Sequence, residues 1–196
     1  MLSSQNEMSP DNAFRFIVES KRRSLDNLVK RYPNALIIDV TSRGIQPWVK
    51  FSPFYPHGNI PVPYSPNITA VSVEGVWQGL KVFERADIDV TKFNITTMSG
   101  IKRSSRTFGN VIGHRAGVNS EIILSYRDAR YQIYLPTYQW VLTHYLQTEV
   151  QQLIAASKKQ SIVLLDYETN ADVDNLTKPL SHAALIIKLA LSDYSA

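Results

Sequence analysis

Residues 72–83, SVEGVWQGLKVF, decide how this chain is read. A helix through them turns by about 100° per residue, which brings Glu74, Gln78 and Lys81 within about 60° of one another. Val73, Val76, Trp77, Leu80 and Phe83 cover the remaining surface, so a helix over 72–84 is expected to be largely buried. Uncompensated charge is costly away from water, and a buried helix with one ionisable row is uncommon. The row faces either solvent, as an ordinary Glu to Lys attraction, or a substrate.

Upstream, residues 53–66 (PFYPHGNIPVPYSP) hold five prolines, which exclude regular helix and leave a stiff, extended loop. It is either a rigid connector or a wall that shapes something. ALIIDVTS (35–42) reads as a short buried strand, and PWVKFS (47–52) as a second one after a turn at Gly44. Apolar residues at Phe14, Ile17, Val18, Leu25, Leu28 and Val29 predict a long first helix, capped by Ser9, begun by Pro10 and ended by Pro33 and Asn34. Residues 1–8 read as a flexible tail, and 9–196 as a single domain.

Downstream, residues 87–117 are irregular and punctuated by Gly100, Gly109, Gly113 and Gly117. From 121 to 159 the pattern is mainly helical, interrupted at Pro136. SIVLLDY (161–167) is a strand, residues 168–178 are a polar loop, and Pro179 begins a last helix. The class is α+β, mostly α-helical. No repeat or linker divides the 196 residues, and a hydrophobic content of 44% supports one sizeable core.

The chain has no cysteine, which excludes disulfides, thiolate metal sites and a cysteine nucleophile. With no signal peptide and no apolar run long enough to span a bilayer, a cytoplasmic protein without a membrane partner is expected. The formal net charge of +4 suits a phosphate-bearing ligand. Lys102, Arg103, Arg106, Arg115, Arg127 and Arg130 face only Glu121 and Asp128 within their run, and nearby glycines let backbone N–H groups approach an anion. That run is either a diphosphate site or a solvated face. The acidic loop after the last strand, with Asp166, Glu168, Asn170, Asp172 and Asp174, lacks the glycine and closing glutamate of a calcium loop. His57, His114, His144 and His182 form no metal-binding spacing, so neither a metal nor a cofactor is expected. No nucleophile elbow supports serine hydrolase chemistry.

Phe51, Ser52, Phe54 and Tyr55, followed by Ser72, Val73, Glu74, Trp77, Gln78 and Lys81, resemble the signature of the NADAR superfamily, also called YbiA-like. That signature is an aromatic-Ser-x-Phe stretch, a loop, Ser or Thr-Val-Glu, two residues, aromatic-Gln, two residues and Lys-Phe. Gly113 and Arg115 stand where the family has a Gly-Arg pair. Gly75 replaces the family's His, Val82 intervenes before Phe83, and the C-terminal Trp-Gly-Asp-Gly stretch is absent.

The resemblance implies a NADAR-like domain and N-glycosidase chemistry on ADP-ribosylated or phosphoribosylated bases. In other branches that chemistry removes ADP-ribose from guanine in nucleic acid or cleaves riboflavin-pathway intermediates. It implies Glu74 and Lys81 as the catalytic pair. Around the substrate it implies Phe51, Ser52, Phe54, Tyr55, Trp77, Gln78, Asp166, Asn170 and His182, with Arg103, Arg106 and Arg115 on phosphates. The expected partner is an ADP-ribose-type nucleotide or ADP-ribosylated nucleic acid. The alternative is a non-catalytic ADP-ribose or nucleotide-binding module that kept the pocket, a reading that Gly75 favours and the intact Glu74, Gln78 and Lys81 oppose. Breaking C1′–N leaves positive character on the ribose. Glu74 can orient the ribose hydroxyls, stabilise that cation or activate water. Lys81 can stabilise charge, or attack C1′ if its surroundings leave the amine neutral.

Overall fold

The computed structural model describes residues 15–190. The expected tail and the Ser9–Pro10 start lie outside them. The first element among the described residues is β1 (Phe16–Ser20), in place of the expected long helix, and α1 (Leu25–Arg31) starts only after a turn. Phe16, Ile17 and Val18 are the aromatic and β-branched residues that suit a pleated strand. Ser24 then caps α1, its hydroxyl accepting the Asn27 N–H at 3.4 Å, while Asp26 and Lys30 with Arg31 complement the two ends of the helix dipole. β2 (Leu36–Asp39) follows as expected. The strand expected at 47–52 is instead a 3-10 turn over Trp48–Phe51.

The proline-rich stretch folds into a small hairpin of β3 (Ile60–Pro61) and β4 (Thr69–Ala70). It delivers the chain to α2 (Val73–Gly79), capped by Ser72, whose hydroxyl accepts the Gly75 N–H at 3.0 Å. This helix stops earlier than expected. Lys81 opens β5 (Lys81–Phe83), which pairs antiparallel with β6 (Val111–Arg115), after a 3-10 turn at Val90–Asn94 and α3 (Ser105–Phe108). β7 (Ile123–Leu124) completes that sheet in the order β5-β6-β7.

Next come α4 (Tyr126–Ala129), a π turn over Arg130–Tyr134 and α5 (Leu135–His144). Pro136 does not interrupt the helix. It lies in the first turn of α5, where its missing N–H is tolerated, directly after the wider π turn. The helical pattern from 137 to 159 is broken instead at Tyr145–Leu146, before α6 (Gln147–Ser157). β8 (Ile162–Asp166) is buried throughout, and α7 (His182–Leu185), capped by Ser181 rather than begun by Pro179, runs into a second π turn.

β8 lies between β1 and β2, parallel to both, so segments more than 120 residues apart in sequence share one sheet. Its continuous apolar sequence fits a strand covered on both faces. Ile162 and Leu164 join the main core with Ile38, Tyr138, Leu153 and Leu185, whereas Val163 and Leu165 pack with Leu28 of α1. A second core of Val76, Leu80, Phe93, Ala129 and Ile133 seats α2. The three parallel strands end together at Ser20, Asp39 and Asp166, the sheet edge beyond which open α/β sheets form ligand crevices. Among the described residues no helix is long and apolar enough to cross a membrane.

Candidate functional site

Glu74 sits in the first turn of α2, where its N–H donates to the Pro53 carbonyl at 2.8 Å, and it is only 7% exposed. Gln78 is one turn further along, and its Nε2 donates to Glu74 Oε1 at 2.8 Å. The other end of the Gln78 amide accepts the Arg103 N–H at 3.1 Å, which fixes which way the amide points. Burial pushes the Glu74 carboxyl above its ordinary range, and the Gln78 bond with the charges of Lys81, Lys102 and His182 offset this in part.

Lys81 enters the field of this carboxylate by a different route from the expected helical stripe. It is the first residue of β5, half-buried, with its ammonium 5.8 Å from the centre of the Trp77 ring. No carboxylate lies within ion-pair distance of it among the described residues. Burial lowers its pKa and Glu74 opposes that shift, while Lys102 and Arg103 add to it. A carboxyl raised and an amine lowered thus stand in each other's field.

Around the pair stands an aromatic wall. The Trp77 indole stacks on His114 at 3.7 Å between ring centres and meets Tyr134 edge-on at 5.4 Å. His114, opposite Lys81 in the β5–β6 register, is fully buried, and neither ring nitrogen makes a well-formed hydrogen bond. Burial and then the Lys81 charge hold its pKa down at about 3, so the ring is neutral. Tyr134 comes from the π turn, and burial with Glu74 and Asp166 nearby keeps its phenol protonated.

At the sheet edge, Asp166 Oδ2 accepts from His182 Nδ1 at 2.9 Å and from the Ser181 hydroxyl at 2.8 Å. His182 Nε2 meets the Val40 carbonyl at 2.8 Å. Both neighbours are acceptors, so both ring nitrogens donate. Burial opposes the charge on His182, but Asp166 and the two hydrogen bonds outweigh it and raise its pKa. Its positive charge acts on Glu74, which links the sheet edge to α2.

Other expected ligand contacts are engaged elsewhere. Phe51 is fully buried in the main core, where its carbonyl accepts the Tyr138 hydroxyl at 2.7 Å. Ser52 is buried, its hydroxyl accepting the Phe54 N–H at 3.3 Å. Phe54 and Tyr55 remain half-buried at the surface. Arg103 spends its guanidinium on the carbonyls of Lys81 (2.6 Å) and Asp87 (2.7 Å) and lies between the rings of Phe83 and Phe108. Arg115 forms a two-pronged pair with Asp87, at 2.6 and 2.9 Å, and a further pair with Glu121. These two arginines brace the backbone instead of waiting for a phosphate. Arg106 is exposed. Arg130 is buried and holds the acidic loop through the carbonyls of Val173, Asn175 and Lys178, and Asn170 ties that loop to Asn175 and Lys178. Among the described residues no cluster of three or more histidines, aspartates or glutamates could hold a metal.

Lys102, His114 and Tyr134 were missed as site residues. Lys102 was visible only as one member of a charge run, and the strand pairing that sets His114 against Lys81 is non-local.

The sequence model of a family of unknown function matches residues 20–186. No curated protein and no solved structure matches the chain.

Proposed function

The chain belongs to DUF6939, a family of unknown function, and from its site we propose an N-glycosidase that hydrolyses the C1′–N bond of ADP-ribosylated or phosphoribosylated bases. The observation that carries this reading is the Glu74–Lys81 pair, which shares one field without an ion pair and is shifted toward neutrality from both sides. A solvated surface stripe has no such shifts. The NADAR resemblance of residues 51–81 supports the same chemistry and the same domain type.

The bond electrons leave with the base as C1′ gains positive character, and the base takes up the proton that the Lys81 amine loses when its nitrogen bonds to C1′. Glu74, held by Gln78 and facing the Lys81, Lys102 and His182 charges that oppose its protonation, supplies a carboxylate to stabilise the charge at C1′. Lys81, with its lowered pKa, supplies a neutral amine that adds to C1′. The C1′–O4′ bond then breaks, the ring oxygen taking the remaining amine proton, and the resulting imine, protonated as the iminium, is hydrolysed by water to free the sugar and restore the lysine. Trp77 and Tyr134 wall the reacting centre and keep out bulk water. Gly75 no longer favours a binding module, because a Cβ there would lie 2.8 Å from the Lys92 carbonyl oxygen, so packing accounts for the glycine.

Incubation with DNA carrying ADP-ribosylated guanosine, with free ADP-ribose and with a phosphorylated riboflavin precursor, followed by mass analysis, tests this. We expect release of ADP-ribose from the DNA, or of a free base and a ribose phosphate from a small-molecule substrate. Binding without product from any of them would leave a nucleotide-binding module.

A further inference from the structure

Lys102 lies on a segment pinned at both sides. Ile101 before it is fully buried. Arg103 after it is tied through its N–H to Gln78 and through its guanidinium to the carbonyls of Lys81 and Asp87. Between these anchors Lys102 is exposed, and its ammonium stands 5.4 Å from the centre of the Phe54 ring. Among the described residues no carboxylate is within ion-pair distance of it. Phe54 directly follows Pro53, whose carbonyl receives the Glu74 N–H, so ring and ammonium stand at the start of α2. The Lys102 charge acts on both Glu74 and Lys81.

Resting on the glycosidase reading, we propose that Lys102, held over Phe54, is the subsite for the 5′-phosphate of the ribose whose C1′ is attacked. The substrate class is therefore a ribose 5′-phosphate or 5′-diphosphate compound rather than a plain nucleoside. ADP-ribosyl and phosphoribosyl substrates share this group. The ring holds the ammonium over its face, which limits the freedom lost when an anion docks. Arg103 and Arg115, the stronger candidates by charge pattern, are taken up by carbonyls and carboxylates. Lys102 is the cation that the same segment presents beside the reacting pair.

The subsite also couples to the chemistry. Lys81 is faced by Glu74 from α2, by His114 from β6, and by Lys102 and Arg103 from the pinned segment. An anion on Lys102 offsets one of the charges that depress Lys81, so Lys81 holds its proton to higher pH in the complex than in the free protein, and the neutral amine that adds to C1′ forms at correspondingly higher pH once substrate is bound.

The test is calorimetric titration of the full chain with ADP-ribose and with adenosine. Lys102→Ala should weaken ADP-ribose by about tenfold or more, a charge-assisted contact, while leaving adenosine nearly unchanged. Lys102→Arg should keep most of the preference, and Phe54→Leu should lose a smaller part of it. In wild type, NMR of 13C-methylated lysines should show the Lys81 titration moving up when ADP-ribose binds, and Lys102→Ala should abolish that movement. Equal losses for the two ligands, no loss, or no ADP-ribose binding by wild type would overturn the subsite. Glu74→Gln should keep the phosphate preference whatever happens to turnover. A protein that binds ADP-ribose through Lys102 without cleaving any substrate therefore refutes the glycosidase and leaves this subsite standing.

Discussion

His114 stacks on Trp77 with both ring nitrogens buried and without well-formed hydrogen bonds, an arrangement that costs stability unless the ring stays neutral. Its folded pKa is about 3, below the ordinary 6.5. The unfolded chain therefore binds more protons between those two values, and stability falls as pH drops through that window, with a limiting slope of about 1.4 kcal/mol per pH unit. His182 has the opposite sign. Its raised pKa contributes stability that is fully present below 6.5 and is lost as pH rises through the folded value. We predict that His114→Phe, which keeps the stack and removes the stranded nitrogens, makes urea-derived stability less dependent on pH between 6.5 and 4.5. At pH 7 it should be neutral or stabilising by about 1–2 kcal/mol. A variant as acid-sensitive as wild type would contradict the neutral, unpartnered ring.

The two glycines of α2 let the helix lie directly on the 3-10 turn at Val90–Asn94. A Cβ at Gly79 would come within 2.2 Å of the Phe93 ring, and one at Gly75 within 2.8 Å of the Lys92 carbonyl oxygen. Gly79→Ala is therefore predicted to destabilise by about 1–3 kcal/mol although alanine is the better helix former. Gly75→His should be worse, since the carbonyl cannot swing aside as a side chain can. Thermal melts of both variants check this, and an unchanged or raised Tm would contradict the packing account. The start of α2 was legible in the sequence because a serine cap and apolar spacing are local signals, and the buried run of β8 was legible for the same reason. The end of α2 was not, since Lys81 becomes a strand residue only by pairing with β6, far along the chain. At the other end of the chain, Ile17, Val18, Leu25, Leu28 and Val29 keep a helical phase, and parallel pairing with β8 overrides it for β1. Arg103 and Arg115 read as free cations because a charge pattern carries no record of the carbonyls and carboxylates that engage them.

Across the whole molecule, the sheet β1-β8-β2 joins the first described strands to one near residue 165 and gathers Asp39, Asp166 and His182 at its carboxyl edge. α2 sets Glu74 in the field of that edge, and the antiparallel sheet brings Lys81 from the other side. Glu74 is carried by α2 and Lys81 by the pairing of β5 with β6, so changing either side chain should leave the fold intact while removing its chemistry. Glu74→Gln and Lys81→Ala are each expected to cut turnover by orders of magnitude, with the double variant little worse than the worse single, because groups acting as a unit are not additive. The most direct measurement is borohydride trapping during turnover of a substrate found by mass analysis. Hydride reduces the iminium between Lys81 Nζ and C1′ to a stable amine, and peptide mapping should find the sugar adduct on Lys81 in the wild type and in no Lys81→Ala sample. Undiminished base release by Lys81→Ala, with no adduct on the wild-type lysine, would contradict the account.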